Sequence, residues 1–222
     1  MSRLNKTILF VDFDNTISHG DVLDSVIETF SRTTQWIKWE KEWRENRMSS
    51  LECLRLQVGD LEVDRDTLLE YVRRAEIDPS FVDLQKWAAA TNTELVIVSD
   101  NFEIILREIF RRHEIVAPPI FANTLTFEET RLVPSFPYRS ATCARCAHCK
   151  ASHFGRYNGY RKLYVGDGLS DVCPAIRADQ VFAKDSLATY LVGQGKPFIR
   201  FEKLGDVVNW LSSEAFAPPI VA

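Results

Sequence analysis

Ile8-Leu9-Phe10-Val11-Asp12-Phe13-Asp14-Asn15-Thr16 joins a short, wholly apolar run to two carboxylates one residue apart and then a hydroxyl. A run that apolar reads as a buried strand, and Asn15-Thr16 as the turn leaving it. Residues two apart on an extended chain point to the same side. Asp12 and Asp14 therefore reach one site at the strand's C-terminal end, where open α/β sheets place their ligands. Two like charges that close are costly unless a divalent cation or a shared proton offsets them. Taken alone, the fragment is equally readable as a surface turn.

Working outward, the spacing of apolar residues predicts helices over 21–32, 34–45, 49–58, 64–74 and from Asp78-Pro79 to about Thr91. About 70 residues of helix between two strands is far more than a simple crossover needs. Residues 20–75 are accordingly expected to form an inserted helical cap, and residues 1–19 with 76–222 the core. Leu95-Val96-Ile97-Val98 is a β-branched buried run ending at Ser99, followed by a helix over 102–112. A short strand at 120–122, an antiparallel excursion over 123–133 and a loop over 134–148 come next. The alternation continues with a helix over 149–158, a strand at 162–165 ending in Gly166-Asp167-Gly168, and a helix over 170–177. A strand at 180–183, a helix over 185–192 and closing elements at 198–200 and 203–211 complete it. Strands alternating with helices predict an α/β fold, a doubly wound Rossmann-like parallel sheet with helices on both faces. The handedness of the crossovers puts the strand C-termini on one edge.

The 222 residues, 45% hydrophobic and 26% charged, suit one or two globular domains with a sizeable core. A formal net charge of -4 argues against a nucleic-acid partner. No stretch approaches the roughly 20 apolar residues of a membrane span, and Met1 to Lys6 leads straight into a strand without a signal-peptide core. A cytoplasmic monomer or homodimer, without membrane attachment, is the expectation.

Several residues converge on the carboxyl edge of that sheet. The first strand brings Asp12, Asp14 and Thr16; the second brings Ser99, Asp100 and Asn101. Lys150 opens the element after the loop, and Gly166-Asp167-Gly168-Leu169-Ser170-Asp171 ends a later strand. These types suit a phosphate and Mg²⁺, which prefers oxygen ligands and keeps several waters. Asp12 and Asp167 can ligate the metal, with a backbone carbonyl near Asp14 as a third oxygen. A carboxylate is a competent nucleophile toward phosphorus. Asp14 stands where it can protonate the leaving alkoxide and later deprotonate water. Ser99 and Lys150 can hold phosphoryl oxygens, while Gly166 and Gly168 permit close backbone approach.

Asp12-Phe13-Asp14-Asn15-Thr16, Ser99, Lys150 and Gly166-Asp167-Gly168-x-x-Asp171 together resemble the four motifs of the haloacid dehalogenase superfamily. The likeness spans the whole chain, and the helical insert is similar to the small cap of the phosphoserine-phosphatase-like branch. The resemblance implies a Mg²⁺-dependent phosphatase that hydrolyses a small-metabolite phosphomonoester through an aspartyl-phosphate. Asp12 would be the nucleophile and Asp14 the acid/base. Thr16, Ser99, Asp100, Lys150 and Gly168 would bind phosphate. Asp12, Asp14, Asp167 and Asp171 would surround the metal, with Asp171 in or just behind its shell. The second motif, Ser99-Asp100-Asn101-Phe102, departs from the Ser-Gly-Gly-Phe of phosphoserine phosphatases. The chain instead resembles the phosphoethanolamine/phosphocholine phosphatase group and the methionine-salvage group acting on hydroxy-keto-methylthiopentenyl phosphate. Asp21 and Asn101 are the substrate-reading candidates, and Asp21 with Asp100 can pair a substrate ammonium. An N-terminal helix carboxylate is the plainer reading of Asp21.

Five cysteines rule out a complete disulfide framework. Cys143, Cys146 and Cys149 have the spacing of three thiolate ligands for zinc, with His148 or His153 as a fourth. Packed thiols, or a redox pair, remain alternatives for the same loop. A second functional reading follows from it: a non-catalytic metal- or redox-sensing protein on the same fold. Trp36, Trp39 and Trp43 recur at helical spacing and suit a cap-face stripe, ligand stacking or a dimer contact.

Overall fold

Along β1 (Thr7–Val11) every residue after Thr7 is inaccessible to solvent, and neighbours enter opposite cores. Leu9 and Val11 join the larger hydrophobic cluster, Ile8 and Phe10 the smaller one. A strand apolar on both sides belongs at the centre of a sheet covered on both faces. The computed structural model describes residues 6–213 apart from 142 and 144. The outer ends of the expected core, 1–5 and 214–222, lie outside those residues.

After β1 come α1 (Val22–Phe30), α2 (Gln35–Arg44), α3 (Ser50–Gly59) and α4 (Arg65–Val72). The side chains of Asp21, Ser49 and Asp64 cap α1, α3 and α4 by accepting from backbone N–H groups at 2.8, 3.1 and 2.9 Å. Each such cap is worth about 1 kcal/mol. Then follow α5 (Ser80–Ala90), β2 (Glu94–Phe102), α6 (Glu103–Arg112), β3 (Ile120–Glu128) and β4 (Arg131–Ser135). The chain ends with β5 (Arg161–Gly166), α7 (Val172–Arg177), β6 (Gln180–Ala183), α8 (Asp185–Gly193), β7 (Ile199–Arg200) and α9 (Leu204–Ser212). Among the described residues no helix is long and apolar enough to cross a membrane.

The seven strands lie in the order β4-β3-β2-β1-β5-β6-β7, parallel except for β4, which pairs antiparallel with the outer half of β3. The chain builds outward from β1 through β2 to β3, then returns to lay β5 on the other side of β1. The crevice between β1 and β5 is thus the switch point of the sheet, where such folds bind ligands. Leu84, Ile109, Leu204 and Val207 from α5, α6 and α9 cover one face; Ala175, Leu187 and Leu191 from α7 and α8 cover the other. Val26, Leu54, Val58 and Leu68 of the inserted helices are continuous with the first of these clusters. By contrast α2 buries none of its residues, and only Trp36 of the tryptophan stripe packs partly against the core.

One local expectation changes and another is refined. The second strand runs on through Ser99, Asp100 and Asn101 to Phe102, with its register against β3 shifting between Val98 and Phe102. Such an irregularity re-aims side chains. The helix expected after Cys149 is present and is of the 3₁₀ type, Lys150–Tyr157. Its three-residue period stacks Lys150 over His153, and both are 1% exposed.

His153 forms a pair with His148, their Nε2 atoms 2.6 Å apart. His148 Nδ1 lies 2.8 Å from the Ser99 carbonyl, which only accepts, so the proton sits on Nδ1. His148 Nε2 is then the acceptor and His153 Nε2 the donor. That leaves His153 Nδ1 as a buried acceptor without a partner among the described residues. The pair braces β2 at Ser99 and makes His148 unfit as a ligand at the cysteine loop, since both of its ring nitrogens are engaged. Burial, followed by the Arg156 charge, lowers His153 from 6.5 to about 4. Between those values the unfolded chain binds a proton that the fold refuses, so stability falls as pH drops from about 6.5 toward 4. His153→Gln keeps a donor for His148 and removes the titration. Thermal melts at pH 7 and pH 5 should show a smaller acid-side fall in Tm for this variant than for wild type. For a chain of this size each kcal/mol of linkage appears as roughly 2–4 °C. Equal falls would show that His153 does not titrate in this way.

Candidate active site

The ends of β1, β2 and β5 meet around one buried ammonium. Lys150 Nζ lies 2.8 Å from Asp12 Oδ1, 2.7 Å from Asp171 Oδ1 and 3.2 Å from Ser170 Oγ. Asp12 Oδ1 also accepts from the Phe13 N–H at 2.7 Å. Both contacts fall on the same oxygen, leaving Oδ2 without a protein partner among the described residues. Asp167, across the switch point, accepts from Asn15 Nδ2 at 2.9 Å and from the Thr16 hydroxyl at 3.1 Å.

Asp171 is satisfied on both oxygens. Oδ1 accepts from Lys150 and, at 2.5 Å, from the Tyr164 hydroxyl; Oδ2 accepts from the Asp167 and Gly168 N–H groups, each at 3.0 Å. A Cβ on Gly166 would come within 2.4 Å of Asp171 Oδ2, so Gly166 has to be glycine. Gly168 meets nothing closer than 3.9 Å, and its part is the N–H it donates.

Asp14 turns away from this group toward the inserted helices. Its Oδ1 accepts from the Val22 N–H at 3.0 Å at the start of α1, and Asn101 Nδ2 lies 3.0 Å from both of its oxygens. Ser99 Oγ accepts from the Asn101 N–H at 3.0 Å and lies 3.5 Å from Asp14 Oδ2. The bulged end of β2 thus holds Asp14. Asp100 lines the cavity, and its Oδ1 is buried without a partner among the described residues.

A cavity of about 430 Å³ opens over these groups. Asp12, Asp14, Asp100, Asn101, Lys150, Asp167 and Gly168 form its floor, while Asp21, Leu23, Asp24, Glu40, Trp43 and Leu54 line it from the inserted helices. Thr16 and Ser99 are absent from that lining. Their hydroxyls are spent on Asp167 and Asp14, so neither is set to touch a phosphate in this conformation.

The charges are unbalanced, and this decides what the site can hold. Burial, then the Asp171 charge, push Asp12 well above the ordinary carboxylate range, against the pull of Lys150. Asp167 is lifted to about 6 by burial and Asp171. Asp171, nearest Lys150 and richest in donors, is held low. One ammonium satisfies one carboxylate, so Asp12, Asp167 and Asp171 with Lys150 carry two uncompensated negative charges when ionised. Oxygen atoms of those three carboxylates lie within 4.8 Å of one another. A divalent cation with oxygen preference fits that charge and donor set. Asp12 offers it Oδ2, unpartnered among the described residues, and Asp167 two oxygens that each accept from one neutral donor, Asn15 or Thr16, whereas Asp171 is committed to the Lys150 ammonium, the Tyr164 hydroxyl and two backbone N–H groups. The side chain of Asp14, expected among the ligands, is committed to Asn101 and α1. Burial and the Asp21 charge raise it to about 8.

Sequence reasoning passed over Asn15 and Asp185. Asn15 has a left-handed backbone (φ 53°) and donates to both Asp167 and Asp185, the latter at 3.0 Å. It stood inside the opening motif but read only as a turn residue. Asp185 follows β6 at the same sheet edge, so the rule that found Asp12 and Asp167 would have found it. Asp24 and Glu40 carried no local signal.

A family model described as "Putative Phosphatase" matches residues 7–188. A 2-hydroxy-3-keto-5-methylthiopentenyl-1-phosphate phosphatase of Brevibacillus brevis is 25% identical over 212 residues, 93% of this chain and 95% of that protein. A thiamine phosphate phosphatase-like protein of Arabidopsis thaliana is 24% identical over 191 residues, 78% of this chain and 76% of its own. Among solved structures, phosphoserine phosphatase from T. onnurineus superimposes with a TM-score of 0.72 at 17% identity, covering 96% of this chain and 98% of that one. A phosphoserine phosphatase with a phospho-aspartyl intermediate analogue gives 0.71 at 16%, covering 93% and 99%. The fold is therefore the haloacid-dehalogenase α/β fold.

The electrostatic imbalance has a measurable consequence. Asp167 is raised from 3.8 to about 6, so the metal-free fold loses stability as pH rises through that window. Asp167→Asn removes the penalty. The Tm difference between variant and wild type should shift in the variant's favour between about pH 4 and 7, and Mg²⁺ should raise Tm in wild type but not in the variant. A pH-independent difference would contradict the charge assignment.

Proposed function

The chain belongs to the phosphatase family whose model it matches, within the haloacid dehalogenase superfamily and its phosphoserine-phosphatase-like branch, and from that premise we propose how its residues divide the work. Membership makes it a phosphoric monoester hydrolase, and the family's phosphatases proceed through an aspartyl-phosphate. The observation that carries the proposal is the opposed anchoring of two neighbouring aspartates: Asp12 on Lys150, Asp14 on Asn101 and α1.

Asp12 is the nucleophile. Its Oδ2 attacks phosphorus, the bond from phosphorus to the leaving oxygen breaks, and Asp14 delivers a proton to that oxygen. A carboxyl raised to about 8 is protonated at neutral pH, as a general acid must be. In the second half Asp14, now ionised, takes a proton from water. The water oxygen attacks phosphorus, and the bond to Asp12 breaks to release phosphate. Lys150 steadies Asp12 and faces the phosphoryl oxygens. Mg²⁺, held by Asp12, Asp167 and a backbone carbonyl near Asp14, would neutralise charge on the phosphoryl group. Asp171 positions Lys150 and the Asp167 loop.

Residues 20–75 act as the cap over this floor, with the described parts of 1–19 and 76–222 as the catalytic core. Among the described residues the cap side of the cavity carries Asp21, Asp24 and Glu40 against one cation, Arg44, which is itself bound to Glu40 at 2.7 Å. Asp24 is raised to about 6 by burial and then by Glu40. An acidic cap wall above a phosphate floor favours a small phosphomonoester whose leaving group carries an ammonium, such as phosphoethanolamine or phosphocholine. Leu23, Trp43 and Leu54 on the same wall favour a second candidate, the apolar chain of a methylthiopentenyl phosphate. Nothing in the site supports the non-catalytic reading.

With Mg²⁺ and p-nitrophenyl phosphate, Asp12→Asn should abolish turnover. Asp14→Asn should release about one equivalent of nitrophenol per chain and then stall. That leaving group needs no acid, whereas breakdown of the phosphoenzyme needs the base, whose removal costs about 10²–10⁴-fold. Steady turnover by Asp12→Asn, or no burst with Asp14→Asn, would refute these roles.

For the leaving group, Asp21→Asn combined with Asp24→Asn should raise KM for phosphoethanolamine by up to about tenfold, equivalent to about 1.4 kcal/mol. KM for glycerol phosphate should stay within about twofold. A loss shared equally by charged and neutral esters, or preference for the methylthiopentenyl ester, would overturn the ammonium reading.

A further inference from the structure

Cys143, Cys146 and Cys173 bring their sulfur atoms within 4.8 Å of one another, and those of Cys143 and Cys146 lie 3.2 Å apart. The expected third member, Cys149, is not in the group. It is buried at 3% exposure, and its N–H donates to the Tyr138 carbonyl at 3.0 Å. Cys173 replaces it from α7, a helix contributed by a different part of the chain. We propose that Cys143, Cys146 and Cys173 form a three-thiolate site for Zn²⁺, separate from the Asp12–Asp167 metal site.

The geometry suits the ion. A Zn–S distance of about 2.3 Å in a tetrahedron puts sulfurs about 3.8 Å apart, and the observed spacings run from 3.2 Å to within 4.8 Å. Two ligands separated by two residues on one loop, completed by a third from a packed helix, resist dissociation better than one continuous loop. All five cysteines are free thiols, and 3.2 Å is well beyond the roughly 2.05 Å of a disulfide. Three thiolates with Zn²⁺ carry one net negative charge, and the Arg177 and Arg145 charges act on Cys173. The fourth position is left to water or a small anion. Soft thiolates select zinc over magnesium, and carboxylate oxygens the reverse, so two metals can occupy the protein without exchanging.

The site's place in the fold gives it a role. Cys146 is four residues before Lys150, and Cys173 is two after Asp171. The same loop is tied to the start of α3: Ser50 N–H donates to the Arg145 carbonyl at 2.8 Å, and Ala147 N–H donates to Ser50 Oγ at 2.8 Å. A metal here fastens together the cap, the segment bearing Lys150 and the loop bearing Asp167 and Asp171.

The test is metal content of the reduced full chain, dialysed against zinc and then against metal-free buffer. Wild type should retain one zinc per chain. Cys143→Ser and Cys173→Ser should each lose it, while Cys149→Ser and Asp167→Asn should keep it. Because a cysteine variant can simply fail to fold, wild type loaded with Co²⁺ gives an independent reading. Thiolate-to-cobalt charge-transfer absorption together with tetrahedral d–d bands supports the site. No retained zinc, zinc unchanged in Cys173→Ser, zinc lost in Asp167→Asn, or a spectrum of octahedral oxygen-ligated cobalt would each overturn it.

Discussion

The Lys150 ammonium, 1% exposed, lies between Asp12 and Asp171 with Asp167 close by, and this ion pairing is the condition on which the site's geometry rests. Removing one partner of a buried ion pair strands the other and typically costs about 3–5 kcal/mol. The fold invests accordingly in Asp171, which has two backbone N–H groups, a tyrosine hydroxyl and a glycine that leaves it room. With Asp171 and Lys150 fixed, Asp12 is fixed too, and its second oxygen is left for chemistry. The negative charge that remains is what a divalent cation would balance.

The sheet explains how such a group assembles from distant parts of the chain. β1 is central, and the chain departs to one side of it and returns on the other, so the β1 and β5 ends lie side by side. The irregular end of β2 does a different job. It turns Ser99 and Asn101 onto Asp14, and the N-terminus of α1 supplies further donors to the same carboxylate. Asp14 therefore belongs to both the floor and the cap. Any movement of α1 would be felt at the acid/base before it was felt at the nucleophile.

The histidine pair and the cysteine loop lie behind this machinery. His148 braces the Ser99 carbonyl, and Lys150 follows two residues later. A 3₁₀ helix at that point lets Lys150, His153 and Phe154 all be buried within a single short element. The segment from Arg145 to Phe154 is thus a strut between the cap, β2 and α7, and it accounts for residues that substrate contact alone does not explain.

Much of this was legible in order along the chain. Apolar runs ending in Asp12, Ser99 and Asp167 revealed the strands and their functional ends, because alternation along a strand fixes which side chains share a side. The helical spacing over 21–32, 49–58 and 64–74 revealed the insert, while the capping of those helices by Asp21, Ser49 and Asp64 came from the structure. Local periodicity carries no information about partners far along the chain. That Thr16 would serve Asp167, that Asp171 would serve Lys150, and that Asn15 would link Asp167 to Asp185 follow from pairings across 21 to 170 residues, which packing alone sets. The cysteines show the same limit. Spacing grouped Cys149 with Cys143 and Cys146, but the turn that sends Lys150 to the active site sends its neighbour Cys149 into the core. The crossover after β5 brings Cys173 into its place. The sequence by itself determined which chemical groups stand at the sheet's edge; tertiary packing decided which of them touch, because each contact depends on the path of the whole chain between them.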